Sequence, residues 1–202
     1  FVLDGNAILF ITERYGMRAH ASWGSLDDAM LVFLNQDAYD KFRLSKEDYE
    51  LYKEANSDRK KIADKDSSKV KDVVVELKNI EDRIVRLTPN SSNMGSTLIS
   101  KDGKTLYYLA STEGGRNLWK MDLRKKETKL LHKVDAGWTS LEMDKEGKTL
   151  FILNGKNMQK MNMASDDLKP IKYLAQVKLD LAAEREYMFD HVYKQQQKRF
   201  YN

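Results

Sequence analysis

The sequence predicts a mainly β fold, because short apolar runs of strand length alternate with turn dipeptides and the alternation repeats along the chain. The clearest stretch is 94–123. It contains the hairpin-turn dipeptides Asp102-Gly103 and Gly114-Gly115, in which glycine adopts positive φ at no steric cost. Residues 106–109 between them are rich in aromatic side chains, which suit a pleated sheet. We therefore predict an antiparallel meander of about three strands here.

The meander recurs later in the chain. Residues 146–150 match 102–106 at a spacing of 44 positions, and residues 157–163 match 117–123 at a spacing of 40. The later copy has therefore lost four residues in the loop that contains Gly114-Gly115.

A third copy opens the chain, where residues 4–11 match 102–109. Repeats of about 40–45 residues with several strands each are typical of β-propeller blades, because one four-stranded sheet cannot bury both faces alone and blades cover one another around an axis. The predicted fold is a partial β-propeller of about three antiparallel blades, with a helical insertion and a C-terminal helix. A generic β-meander or sandwich is the alternative, since Asp-Gly hairpins occur in these folds too.

We predict four parts in chain order. A first blade spans 1–36, a helical and charged insertion 37–71, two further blades 72–176, and a helix that leads into a missing downstream domain 177–202. The chain has no initiator Met and stops within a helical pattern, so we expect it to be a piece of a longer polypeptide.

The first blade is predicted from three segments. Residues 7–13 form a strand, 18–22 a second one, and 29–34, which are apolar throughout, a strand covered on both faces. Gly24-Ser25 with Asp27-Asp28 is predicted to be the turn before that last strand.

The insertion breaks the β pattern. Ser45, followed three residues later by Asp48, has the form of a capping box, and Tyr49 with Tyr52 gives the helix that follows a partial apolar face. Residues 58–71 are nearly all charged or small and polar, which predicts an exposed, mobile linker. The insertion is either decoration on a blade or a contact for a partner or another domain.

The later strands follow the insertion. Residues 73–77 and 84–88 resume the β pattern, and 128–134 and 169–174 are predicted to be the outer strands of the two later blades. Pro170 suits an edge strand, because proline donates no backbone hydrogen bond.

The chain ends in a predicted helix. Helix-favouring residues begin at Ala182, and neither glycine nor proline interrupts them before the end. Met188, Val192 and Gln196 fall on one stripe of this helix.

Composition limits the classes of function. The 202 residues carry a net charge of +4, and no apolar run approaches the ~20 residues of a membrane-spanning helix. The absence of cysteine excludes disulfides and thiolate chemistry, and it is compatible with the cytoplasm and the periplasm alike. Turn lysines (Lys101, Lys104, Lys145 and Lys148) are expected to keep exposed edges soluble rather than to bind phosphate. We therefore expect neither a nucleic-acid partner nor a membrane span.

The sequence contains no constellation that predicts catalysis. His20, His132 and His191 stand in three separate elements without metal-ligand spacing, and Asp27-Asp28 and Asp166-Asp167 are predicted to lie in turns, where aspartate binds local backbone. A Gly-x-Ser-x-Gly elbow, a P-loop and a dinucleotide fingerprint are also missing. We therefore expect no catalytic residue, no cofactor or cofactor-binding residue, and no metal ligand in this chain.

The repeats resemble the TolB-type propeller repeat. Its Ser-Pro-Asp-Gly-Lys turn corresponds to residues 100–104, with Lys101 in place of the proline, and its Asn-Leu-Trp strand corresponds to residues 117–123. The later copy is weaker, since Gln159 stands where Trp119 does.

The larger arrangement resembles the tricorn protease family. Residues 77–87 are similar to that family's Glu-Asp-Arg-Val-Val-Arg-Leu segment, with Asn79 in the place of a glycine. Residues 40–47 resemble its polar insertion, and residues 185–193 resemble the helix that starts its catalytic half.

This resemblance implies a parent chain that is a serine peptidase, built from propellers, a helical domain, a PDZ domain and a carboxyl-terminal-processing-type catalytic domain. The catalytic Ser and His of that family lie downstream of the helix, so none maps onto this sequence. The segment would then be a non-catalytic propeller that admits or channels oligopeptide or protein substrates, and its partners would be the remaining blades and the catalytic domains of the same polypeptide. The alternative is a TolB-like propeller that binds a partner protein and has no peptidase activity. Because three blades leave a sheet edge and a blade face unpaired, we also expect self-association.

Overall fold

The structure is a computed structural model, and it forms two compact units, Phe1–Ile171 and Lys172–Asn202. It describes residues 1–18, 20, 24–56, 72–112, 115–134, 139–155, 157–176 and 178–200. Most of the regular structure in the described part is β. The strands are β1 (Ala7–Thr12), β2 (Asp28–Phe33), β3 (Ile84–Arg86), β4 (Met94–Ile99), β5 (Thr105–Ala110), β6 (Asn117–Asp122), β7 (Thr128–His132), β8 (Thr139–Met143), β9 (Thr149–Asn154), β10 (Asn157–Asn162) and β11 (Leu168–Ile171). The helices are α1 (Gln36–Arg43), α2 (Lys46–Ala55), a 3₁₀ turn (Ile80–Arg83) and α3 (Leu181–Arg199).

The strands form three antiparallel meanders, in which each strand pairs with its neighbour in the chain. Their orders are β1-β2-β3, β4-β5-β6-β7 and β8-β9-β10-β11, and they are called blade 1, blade 2 and blade 3 below. Strand β4 of blade 2 lies beside β1 of blade 1 and β8 of blade 3, so the three sheets pack in succession.

Blade 2 is covered on both faces by its neighbours. Successive side chains of a strand point to opposite faces, and β5 follows this rule: Leu106 and Tyr108 enter one core with blade 1, whereas Tyr107 and Leu109 enter a second core with blade 3. Blade 1 supplies residues such as Leu31 and Phe33 to the first core, and blade 3 supplies Leu150, Ile152 and Met161 to the second. This face-to-face stacking of meanders confirms the predicted class, a mainly β partial propeller.

The predicted turn chemistry is also confirmed. Gly103 and Gly147 adopt φ values of 70° and 76°, which a side chain would strain, in the turns that precede β5 and β9. Pro170 lies in β11, at the edge of blade 3. Gly114 lies outside the described residues.

The third strand of blade 1 comes from the part of the chain that follows the helical insertion. Strand β3 pairs with β2, so residues 84–86 add a third strand to the segment predicted at 1–36. The predicted second strand at 18–22 lies mostly outside the described residues, and Arg18 forms a β-bridge with Ser25. The division of the chain into domains otherwise stays a prediction.

Two local predictions were wrong. Residues 73–77, predicted to be a strand, are exposed and irregular, because the segment is attached to the end of β2 by the hydrogen bond from Glu76 N to Leu34 O (2.7 Å) and not by a ladder. Asp27 and Asp28 were predicted to lie in a turn, but Asp27 forms a β-bridge with Ser92, and Asp28 begins β2 and is fully buried. Its charge is accommodated by Arg86, 58 positions away, which local turn chemistry could not indicate.

The insertion forms the helices α1 and α2. The N-cap half of the capping box is confirmed: the Ser45 hydroxyl accepts from the Asp48 N–H (3.0 Å), and it donates to the Asp48 carboxylate (2.8 Å). Phe33 of blade 1 contacts the rings of Tyr39 and Phe42 on α1, with ring centres 5.7 and 5.0 Å apart. The predicted linker at 58–71 lies outside the described residues.

The second unit contains α3, as the sequence predicts. Its first turn is capped by the Asp180 carboxylate, which accepts from the N–H groups of Ala182 and Ala183. Met188 and Val192 lie one turn apart on its surface and are exposed. In the part of the chain that the structure describes, no helix has both the length and the apolar character that crossing a membrane requires.

Candidate functional site

The turns that join the first two and the last two strands of each four-stranded blade lie at one end of that blade, as an antiparallel meander requires. In blade 2 the Leu123 N–H donates to the Lys104 carbonyl (2.9 Å), and in blade 3 the Met163 N–H donates to that of Lys148 (2.9 Å). We call the surface formed by residues 100–104, 122–126, 144–148 and 162–166 the turn face. It is the candidate functional site.

Side-chain oxygens hold these turns in place. Asp122 Oδ1 accepts from the N–H groups of Arg124 and Lys125, at 2.9 and 2.8 Å. Asp144 Oδ1 accepts from Lys148 N and Thr149 N, at 2.7 and 3.0 Å, and these backbone donors, Thr149 first, lower the pKa of Asp144. The backbone of these two turns is therefore held by aspartates of the same turns.

An ion pair joins blade 2 to blade 3 on this face. Lys120 Nζ lies 2.9 and 3.0 Å from the two carboxylate oxygens of Asp166, and His132 Nε2 contacts the Asp166 carbonyl at 2.7 Å. Burial lowers the pKa of Lys120, but the hydrogen bonds and charges of Asp166 and Tyr107 together outweigh burial, so the pKa is raised. Lys120 is therefore a protonated cation, which suits binding and not nucleophilic or base catalysis.

A groove of about 730 Å³ opens between blades 2 and 3 beside this ion pair. Its floor includes Tyr107, whose pKa is raised by burial, and Lys120. Lys101, on its rim, donates to the Lys145 carbonyl of blade 3 (3.2 Å). The groove is polar along its rim and open to solvent, so it can receive an extended chain.

A smaller crevice of about 170 Å³ lies between α2 and the turns of blade 2. Arg124 forms its base: the guanidinium donates to the carbonyls of Phe42 and Leu44 (both 2.9 Å) and of Lys41 (3.1 Å), and it lies 4.0 Å from the ring centre of Tyr49. Arg124 thereby binds the end of α1 to blade 2. Asp102 lines the crevice and the groove, so the two openings form one continuous surface.

A separate network in blade 1 gives Arg83 of the Glu-Asp-Arg segment a structural role. The buried Asp28 carboxylate accepts from Arg86 (2.8 Å), Thr88 (2.8 Å) and Ser91 (2.8 Å). The buried Arg83 guanidinium donates to the carbonyls of Phe33, Lys78 and Glu76. Both arginines serve the fold, since every group they bind belongs to the blade or its connection.

The three histidines do not form a site together in the described structure. His132 binds the Asp166 carbonyl, His20 is exposed, and His191 stacks on Tyr187 within α3, with ring centres 6.0 Å apart. No group of three or more metal-ligating side chains was found among the described residues. The expectation that the chain holds no cofactor and no metal remains an expectation.

Sequence reasoning missed the long-range contacts of the turn face. Arg124 contacts carbonyls about 80 positions away, and Lys120 contacts an aspartate 46 positions away. Asp166 itself was placed correctly in a turn, but its lysine partner was not identified. The single usable signal was the repeat, since aligning two blades brings equivalent turns to the same end.

Comparison with known proteins finds similar structures but no family. No family model matches the chain, and no curated protein matches it. Among solved structures it is similar to TolB from Acinetobacter baumannii, with 19% identity over 48% of this chain and 25% of that chain, at a TM-score of 0.41. It is also similar to the tricorn protease, with 14% identity over 50% of this chain and 10% of that chain, at a TM-score of 0.42.

A third similar structure is that of a nidogen/laminin complex, with 9% identity over 85% of this chain and 46% of that chain, at a TM-score of 0.46. The chain therefore spans less than half the length of each of these three proteins. At these identities and TM-scores, none of the three assigns it to a family.

Proposed function

We propose that this chain is a non-catalytic binding segment of a propeller, which receives oligopeptides or extended protein segments on its turn face. The observation that carries the proposal is the groove of about 730 Å³ between blades 2 and 3, continuous with the crevice beside α2. Extended peptides are recognised in part through pockets for alternate side chains, and an open groove can supply them.

The parent protein is the finer part of the proposal. The segment 77–87 and the helix at 185–193 resemble the tricorn protease family, so we place this propeller in a tricorn-like serine peptidase, where it admits or channels oligopeptides and shapes the assembly. A TolB-like propeller that binds a partner protein, without a peptidase, is the second candidate, which the repeat at residues 100–104 favours.

Binding is tested with a variant that fills the groove. Ala164 lines it and is exposed, so Ala164→Trp should obstruct the groove without disturbing the core. A fluorescent library of dodecapeptides should bind the native chain. We expect the affinity to fall about tenfold in the variant, because blocking one region of contact removes roughly 1.4 kcal/mol of binding free energy.

The matched control for this test is Thr112→Trp. Thr112 is exposed and follows the end of β5, away from the turn that precedes that strand, so the variant adds the same ring at the opposite end of blade 2. It should bind the library as the native chain does. Equal binding by all three proteins, or binding by none, would contradict the proposal.

The peptidase context is tested by hydrolysis. The chain of residues 1–202 should not cleave peptide substrates, whereas the proposed tricorn-like parent should cleave them. Cleavage by residues 1–202 alone would refute the non-catalytic role. A parent that binds peptides and never cleaves them would favour the TolB-like candidate.

A further inference from the structure

We propose that the crevice beside α2 recognises a carboxylate, so that the preferred partner of the turn face is an acidic peptide segment. This rests on the proposed function and specifies its ligand. Cationic side chains outnumber anionic ones in the lining of the crevice. The cationic side chains that line it are Lys46, Lys53, Lys104, Arg124 and Lys125, and the anionic ones are Glu50, Asp102 and Asp122.

The three carboxylates of the crevice already have partners within the fold. Glu50 binds Lys53 Nζ at 3.1 Å. Asp102 accepts from the Ser100 hydroxyl (2.6 Å) and a backbone N–H, and Asp122 accepts from two backbone N–H groups of its own turn. Their charges therefore stabilise turns and two surface ion pairs, Glu50 with Lys53 and Asp102 with Lys104 (3.6 Å). The other three of the five cations lie outside the ion pairs of the described residues.

Two lysines of the crevice have no such partner. Within the described residues, neither Lys46 nor Lys125 forms an ion pair, and both are exposed. They come from opposite walls, Lys46 from the first turn of α2 and Lys125 from the turn after β6. A ligand carboxylate that enters between them would meet a cation on each side.

Arg124 adds a fixed positive charge at the base of the crevice. Its guanidinium is held by three carbonyls and by the face of Tyr49, so binding costs little further ordering of its side chain. Neutral carbonyls orient the guanidinium without cancelling its charge. The charge therefore acts on whatever occupies the crevice.

The size and the mixed charge of the crevice favour a peptide over a nucleic acid. About 170 Å³ accommodates one or two acidic side chains, whereas a phosphate backbone needs a long, uniformly basic track. Glu50, Asp102 and Asp122 interrupt the cations at this surface. Beyond Asp102, an extended peptide would reach Lys101 and Lys148 on the rim of the groove.

The test uses two fluorescein-labelled dodecapeptides, one of alternating Glu and Ser and one of alternating Gln and Ser. Anisotropy titrations with the full chain should give at least about tenfold tighter binding of the Glu peptide, and the difference should shrink between about 50 and about 300 mM NaCl as charges are screened. Lys46→Glu/Lys125→Glu should reduce Glu-peptide affinity about tenfold, because two attractive contacts become repulsive. Lys46→Gln/Lys125→Gln should give a smaller loss.

The matched control is Lys78→Glu/Lys169→Glu, which makes the same change of net charge at exposed lysines that line neither opening. It should bind the Glu peptide within about twofold of the native chain, since distant surface charges are screened. All variants should unfold at the native temperature, because the substituted side chains are exposed.

Three results would overturn the inference. If both peptides bind equally well, the proposed function stands and the preference for acid is wrong. If the control loses as much affinity as Lys46→Glu/Lys125→Glu, the crevice is not the site. If a single-stranded oligonucleotide binds more tightly than the Glu peptide, the surface recognises polyanions in general. Failure of both peptides to bind would count against the proposed function itself.

Discussion

Blades 2 and 3 are copies of one repeat, yet their equivalent residues have different surroundings. Leu109 of β5 and Leu153 of β9 stand 44 positions apart and occupy the same place in the repeat. Leu109 is fully buried, whereas Leu153 is 38% exposed. The difference arises because blade 3 covers the Leu109 face of blade 2, and in the described structure no sheet covers the Leu153 face of blade 3.

The comparison shows that burial in this fold is a property of neighbours, and not of the repeat sequence alone. Leu106 and Leu150, which are also equivalent, are both fully buried, because each faces the preceding blade. A blade therefore buries one face against the blade before it and the other against the blade after it. The exposed face of blade 3 is where we propose that self-association occurs.

The largest expected effect tests the two leucines directly. Leu109→Ala should lower the free energy of unfolding by about 3 kcal/mol, because it opens a cavity in a closed core, whereas Leu153→Ala should cost less than about 1 kcal/mol. Equilibrium unfolding in urea measures both. Equal losses would mean that blade 3 is covered in solution, and a concentration-dependent loss for Leu153→Ala would identify a second copy as the cover.

Blade 1 extends the comparison to a buried charge. Arg86→Ala removes the cation that binds the fully buried Asp28, so it should lower the free energy of unfolding by about 2–3 kcal/mol. The loss is smaller than for a wholly buried pair, because Arg86 is partly exposed. Adding Asp28→Asn should recover part of the loss, since a neutral amide needs no counter-ion. Urea unfolding of both variants tests this, and a cost for Arg86→Ala as small as that of an exposed arginine would show that Asp28 does not depend on it.

The contact between blades 2 and 3 offers a matched lysine pair. Lys120 binds Asp166 across the blades, whereas its repeat equivalent Lys160 is exposed and lies outside every ion pair of the described residues. Lys120→Met should cost about 1 kcal/mol of unfolding free energy, and Lys160→Met close to none. Thermal unfolding of the two variants side by side provides the measurement. A larger loss for Lys160→Met would contradict the assigned role of the ion pair.

The smallest expected effect is on the stability of the folded state at acidic pH. The pKa of Asp144 is lowered from its ordinary value of 3.8 by the backbone N–H groups that it accepts from, so its ionised form stabilises the folded state above about pH 4, and that contribution is lost as the pH falls through the folded pKa. Asp144→Asn keeps an acceptor oxygen but does not titrate, so stability should fall less steeply below about pH 4. Unfolding midpoints across this range are compared with those of Glu142→Gln, an exposed control. An unchanged acid dependence would exclude Asp144 as a contributor.

Local sequence determined much of the fold. The turn glycines, the aromatic-rich apolar run of β5 and the N-cap at Ser45 each depend on residues within one element, and each is confirmed. Strand β3 was not assigned to blade 1, because its pairing with β2 spans the whole insertion. A local sequence pattern does not indicate a partner strand that lies so far along the chain.

The candidate site was less accessible to sequence reasoning. The sequence predicts that the lysines of the turns keep exposed edges soluble. Their exposure is compatible with that role and with ligand binding alike. Only the structure brings Lys46 of the insertion into one crevice with Arg124 and Lys125 of blade 2. This arrangement depends on the packing of α1 on Phe33 of blade 1 and on the bonds of Arg124 to carbonyls about 80 positions away, which no local pattern indicates.

Backbone hydrogen exchange tests the central claim, that neighbouring blades cover each other, in a single experiment. Strand β5 has a strand on each side and a sheet on each face, whereas β9 has a sheet on one face within the described structure. Amides of β5 should therefore exchange most slowly, through global unfolding alone, and those of β9 faster through local opening. Exchange from β9 that is as slow as exchange from β5, in a chain that sediments as a monomer, would contradict the account.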